Sequence, residues 1–179
     1  MALRPYSTPR LTLISLIFNW LIWSDQLFFR KGEEMKDASL DIIFNKDNFL
    51  AVFNQDISAA KKEILIVSPL VRKRRTDQMT KHLKISIDNN IRVIVATRPK
   101  EDFKPQDHTA MQRTLDLLTN SGVSVVFKSN IHQKFAIMDQ KVVWYGSINL
   151  LSYGSAQESI MRIESSNIAN ELMKSIEGA

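Results

Sequence analysis

The stretch "HQKFAIMDQKVVWYGSIN", residues 132–149, decides how the rest of the chain is read. Its apolar letters, Phe135, Ile137, Val142 and Val143 among them, have the density of core strands. The connection "DQK", residues 139–141, is short enough to force an antiparallel hairpin. The polar letters are a surplus that a core hairpin does not need. Side chains two apart share a strand face, so His132 and Lys134 are expected to point one way with Ala136 and Met138, and Phe135 and Ile137 the other. Ser147 and Asn149 share a face if that segment is extended. An imidazole, an ammonium, a hydroxyl and an amide brought together suit a tetrahedral anion, with Gly146 letting backbone approach it closely. Asp139 has the opposite parity and sits at the turn, where a structural role is the simpler expectation.

Working outward, helical and strand patterns alternate. "DNFLAVFNQDISAAKK" spaces Phe49, Val52, Phe53, Ile57 and Ala60 for a helix, and "EILIVSPL" is a continuous apolar run ended by Ser-Pro, as a buried strand is. "TDQMTKHLKISIDNN" reads as a helix capped by Thr76, and "IRVIVATRP" as a second buried strand stopped by Pro99. A helix is expected over about Gln106 to Asn120, with Gly122 at C′. "VSVVFK", the hairpin, a strand in "ESIMRIE" and a helix over about Asn167 to Ile176 follow. Such alternation predicts an α/β sandwich: a mixed, mostly parallel sheet flanked by helices, turning antiparallel at its end.

A chain of 179 residues has room for one domain with a real core. Its 24 Lys+Arg against 19 Asp+Glu leave a net charge of +5, which favours an anionic partner, nucleic acid or a phospholipid head group. With no Cys, disulfides and thiolate metal sites are excluded. Residues 1–35 differ from the domain expected over 36–179. The apolar run "LTLISLIFNWLIW", residues 11–23, follows a basic start without a small-x-small cleavage site, and it is short for a membrane span. It reads as a short membrane or interfacial anchor within residues 11–29, as a packing helix, or as sequence upstream of a functional start near Met35.

His132-x-Lys134, Asp139 after four residues, then Gly146-Ser147-x-Asn149 after six resembles the HKD motif of the phospholipase D superfamily. Six letters at fixed spacing arise by chance at roughly one in tens of millions per start, at about one in twenty per letter. The wider likeness covers about residues 38 to 178, and "ESIMRIES" resembles PLD-like modules attached to some DNA helicases. The resemblance implies a phosphodiesterase that needs no metal and no other cofactor; the basic balance, the single-motif form and the likeness to helicase modules point to a nuclease acting on DNA. The resemblance implies that His132 attacks phosphorus to give a phosphohistidine, which water hydrolyses, and that Lys134 and Asn149 hold phosphate oxygens. It also implies a downstream Glu that orients the His; Glu158 is the candidate. Complete sites in the family use two motif copies, and this chain has one. His82-x-Lys84 with Asp88 has the wrong spacing, lacks Gly-Ser-x-Asn and reads as a solvated helix face. The resemblance therefore implies a homodimer pairing two copies of His132 across a two-fold axis. A helicase or other DNA-processing partner and a cytoplasmic location complete the expectations.

Two rival readings stand beside the nuclease: a phospholipase or phosphatidyl transferase at a membrane, and a non-catalytic DNA-binding module. The basic run Arg72, Lys73, Arg74 and Arg75 follows a buried strand at its carboxyl end, where ligands gather in open α/β sheets. These side chains are expected either to contact a phosphate backbone or to start a solvated helix. His108 is expected at the surface or in a cap, and Trp144 and Tyr145 in the core.

Overall fold

The computed structural model describes residues 42–154 and 156–177. The expected segment 1–35, its boundary with the domain and the anchor at 11–29 lie outside the described residues. Seven strands form one sheet: β1 (Ile43–Asn45), β2 (Glu63–Val67), β3 (Arg92–Thr97), β4 (Ser124–Phe127), β5 (Phe135–Met138), β6 (Val142–Gly146) and β7 (Ser159–Glu164). Among the described residues four α-helices accompany them: α1 (Phe49–Ala59), α2 (Lys73–Asp88), α3 (Pro105–Asn120) and α4 (Ser166–Glu177). The strand order is β1-β7-β6-β5-β2-β3-β4.

The α/β sandwich with a mixed sheet is as expected, but its balance is reversed. Only β2–β3 and β3–β4 pair in parallel; β1–β7, β7–β6, β6–β5 and β5–β2 are antiparallel. The helical crossovers that enforce parallel pairing lie only between β2, β3 and β4, and every later strand is reached by a reversal. β5 joins β2 rather than β4, which puts the hairpin at the middle of the sheet.

Strand parity sorts the core into two layers. Ile64, Ile66, Val93, Val95, Ala136, Met138 and Trp144 pack on one face against α1, α2 and α3. Val67, Phe135, Ile137 and Val143 pack on the other against Ala169, Leu172 and Met173 of α4. All four β5 residues are buried, so the strand is covered on both sides. Trp144 is fully buried as expected, whereas Tyr145, on the opposite face, is 41% exposed. A half-buried ion pair borders the first layer. Asp56 of α1 accepts from Trp144 Nε1 at 2.7 Å and from Arg162 Nε at 2.7 Å, tying α1 to β6 and β7.

Two termini of helices refine the expectations. α3 ends as predicted, with Gly122 at φ +90. α2 begins at Lys73, with Arg72 and not Thr76 at its N-cap, so the basic run forms its first turn. Thr76 is buried and its hydroxyl makes no capping bond; Lys73, Arg74 and Arg75 precede it in the helix, and Arg75 packs inward.

Candidate active site

Antiparallel pairing brings the scattered motif together. β5 runs against β2, and β6 returns alongside it, so the residues before β5 and after β6 lie at the end where β2, β3 and β4 finish. β7 starts at that end too, since Gly146 pairs with Ile160. His132 and Lys134 precede β5 rather than lying in it, so strand parity does not govern them. Backbone bonds stitch the loops there. Gly146 N–H donates to Lys134 O at 3.3 Å, and Arg72 N–H to Leu151 O at 2.8 Å. The Ser68 hydroxyl, fully buried, accepts from Leu151 N–H at 3.1 Å and so fixes the loop carrying Asn149 to the end of β2. Ser68 was legible only as a strand terminator in "SPL"; its partner is 83 residues away.

His132, Lys134, Ser147, Asn149 and Glu158 thus share one end of the sheet. The His132 imidazole stands exposed, and Lys134 is half-buried, its Nζ donating to the His132 carbonyl at 3.1 Å. Asn149 Oδ1 is buried without a hydrogen-bond partner among the described residues, an acceptor that the fold leaves unpaired. Glu158 is half-buried just ahead of β7. A Cβ on Gly154 would lie 2.7 Å from Glu158 Oε2, so Gly154 lets the loop pass against that carboxylate. Among the described residues no hydrogen bond joins Glu158 to His132. The chain brings the two to the same region and not into contact.

Gly146 and Ser147 serve the sheet more directly than a ligand. A Cβ on Gly146 would lie 2.6 Å from Ile160 Cα and closer still to the Ser159 carbonyl oxygen. The close approach expected of Gly146 is therefore to β7. Ser147 N–H donates to Ser159 O at 2.9 Å, and its hydroxyl donates to the same oxygen at 3.2 Å. That hydroxyl also accepts from Ser159 N–H at 3.0 Å. Its single proton is used to clamp β6 to the residue after Glu158, and is not left for an anion.

Asp139 lies at the other end of β5, across a four-residue strand from the site, and is no part of it. Its carboxylate accepts from the backbone N–H groups of Lys61 and Lys62 at 2.8 Å and Glu63 at 3.1 Å. Partial burial pushes its carboxyl pKa up, but these three donors and the Lys62 charge outweigh that and hold it below the usual range.

The basic run does not form a free patch. Arg72 pairs with Asp107 at 3.6 Å and Lys73 with Asp77 at 2.6 Å. Arg74 lies 4.7 Å over the Tyr153 ring. Arg75 is 2% exposed and stacks 3.9 Å over Tyr153 and 5.0 Å over Phe49, where desolvation lowers its pKa. Cation–π packing, which sequence spacing cannot reveal, takes Arg75 out of reach of a substrate. His108 does not cap α3, whose N-cap is Lys104; it is half-buried, with Nε2 3.0 Å from the Phe103 carbonyl oxygen ahead of the helix. The decoy at His82 is a helix face, its Lys84 paired with Asp88 at 2.9 Å. Among the described residues, no group of three or more His, Asp or Glu side chains is arranged to hold a metal ion, and no helix is long and apolar enough to cross a membrane.

Residues 53–179 match the family model described as cardiolipin synthase, PLD-like domain. The structure is similar to that of Nuc from Salmonella typhimurium, a phospholipase D family member, at 17% identity and a TM-score of 0.63, over 76% of this chain and 90% of that one. NucT from Helicobacter pylori is similar at 16% identity and a TM-score of 0.61, over 76% of this chain and 92% of that one. TrmBL2, an archaeal chromatin protein with a novel mode of DNA binding, is similar at 8% identity and a TM-score of 0.53, over 92% of this chain and 62% of that one. No curated protein sequence matches the chain significantly.

Proposed function

The chain belongs to the phospholipase D superfamily through its PLD-like domain, and from that premise we propose that it is a metal-independent phosphodiesterase that cleaves nucleic acid as a homodimer. The observation that carries the reading is the convergence of His132, Lys134, Asn149 and Glu158, drawn from three separate segments, at one end of the sheet. In this reading His132 attacks phosphorus, and the P–O bond to the leaving oxygen breaks as the P–N bond forms. The partner's His132 gives that oxygen its proton. Water then attacks the phosphohistidine, losing a proton to the partner's His132 and releasing the imidazole. Lys134 and Asn149 hold the non-bridging oxygens, and Glu158 turns toward His132 when the site is completed. The net charge of +5 favours a polyanionic substrate.

The test is cleavage of labelled single- and double-stranded DNA in excess EDTA by the parent protein and by His132→Ala. The expected result is cleavage that survives EDTA and falls at least about 1,000-fold in the variant, as loss of a covalent nucleophile does. Cleavage by neither would sink the nuclease reading. A second reading, phosphatidyl transfer at a membrane, is favoured by the description of the matching family model and by the apolar run at residues 11–23. It requires turnover on phospholipid vesicles that deletion of residues 1–35 abolishes, whereas nuclease activity is expected to survive that deletion.

A further inference from the structure

Lys128 carries a charge that the site described above does not use. It follows β4 at the same end of the sheet, held by its backbone N–H donating to Thr97 O at 2.9 Å. Its Nζ is buried and has no hydrogen-bond partner among the described residues. A buried ammonium without an acceptor destabilises the fold that contains it, so an anion that reached it would be bound with unusual advantage. Lys128 also lines a cleft of about 400 Å³ that runs along the segment from Lys128 to Gln133 and includes His132. α4 closes the cleft with Ser175, whose hydroxyl donates to Gln133 Oε1 at 3.1 Å. Among the described residues no Asp or Glu lines it, and Lys128, Asn130, His132, Gln133 and Ser175 contribute to its walls.

We propose that this cleft takes the phosphate next to the scissile one in a nucleic-acid strand, with Lys128 as its anion-binding residue. The proposal rests on the nucleic-acid reading of the same site. A strand bonded at His132 has its next phosphodiester one nucleotide away, and the cleft beginning at His132 leads to Lys128. Lys128 would then add binding along the strand, apart from the chemistry at His132.

The experiment measures binding, in a His132→Ala background so that nothing is cleaved, of a fluorescein-labelled 20-nucleotide oligothymidylate across a salt series. Lys128→Met keeps the length of the side chain and removes the charge; Lys128→Arg keeps the charge. Lys128→Met is expected to bind about 10-fold more weakly, with the slope of log K against log salt shallower by about one, the release of one counterion. Lys128→Arg is expected to retain the slope. Without ligand, Lys128→Met is expected to melt at or above the temperature of the background protein, because an unpaired buried charge has been removed. Unchanged affinity and slope in Lys128→Met would overturn the proposal, as would no oligonucleotide binding by the background protein. A melting temperature several degrees lower would also overturn it, by making Lys128 a structural group. A parent protein that cleaves no DNA, beside a Lys128→Met variant that loses affinity as expected, would remove the nuclease reading and leave the phosphate subsite standing.

Discussion

Gly146 is fixed by a neighbour, not by its own backbone conformation. The space a Cβ would need is taken by Ser159 and Ile160 backbone, which cannot swing aside as a side chain tip can. Gly146→Ala is therefore expected to cost about 2–3 kcal/mol through forced separation of β6 from β7. It should also lower activity, since the same separation releases Ser147 from Ser159 and shifts Glu158. Chemical denaturation and a cleavage assay check both; an alanine variant as stable as the parent would refute the packing argument. The sequence spelled out Gly146-Ser147-x-Asn149 and its distance from His132, because the spacing within a hairpin is local. It did not reveal that Gly and Ser face β7, because that contact depends on where a later strand docks. For the same reason Arg75 read as available, although Phe49 and Tyr153 enclose it from distant parts of the chain.

At the scale of elements, the β5–β6 hairpin shows how a motif letter can be structural. Asp139 and Gln140 both have φ +54, and Lys141 N–H donates to Met138 O at 3.0 Å, the geometry of a tight two-residue hairpin turn. The Asp139 carboxylate then reaches the α1–β2 connection and pins the hairpin beside β2. Asp139→Asn preserves shape and tolerates positive φ, so it isolates the charge. Because the folded-state pKa is lowered, the stabilisation is present above the unfolded carboxyl value near 3.9 and is lost as pH falls through the lower folded value. The variant is expected to be about 1–2 kcal/mol less stable from pH 5 to 8, a low figure for charge-assisted bonds because the group is partly in solvent. That gap should close below about pH 4; urea melts across the pH range test it, and a gap that stays constant to pH 2 would refute the assignment. The hairpin itself was readable from "DQK" and its flanking apolar runs. Its position in the sheet was not, since adjacency of β5 to β2 is a pairing across about seventy residues. Helices alternating with strands pointed to parallel pairing, and that logic held only where a helix connects the strands.

For the whole molecule, the decisive fact is that one chain supplies one His132 and the proposed chemistry needs two. His132 stands exposed at the end of the sheet, so a second copy can meet it without unfolding anything. If the two imidazoles share one site, a subunit lacking His132 poisons its partner. Mixing parent protein with increasing amounts of His132→Asn, after exchange of subunits, then redistributes parent chains into dimers with a single imidazole. At a ninefold excess of the variant, random pairing leaves about a tenth of parent chains with a parent partner, so activity per parent chain should fall to about a tenth. A monomeric active site, or one complete within each subunit, would keep its activity per parent chain constant throughout the titration. Sedimentation at the assay concentration separates these cases from a failure to exchange. An active protein that sediments as a monomer would end the dimer proposal. A dimer whose activity ignores the variant would instead show that each His132 works with a proton donor from its own chain.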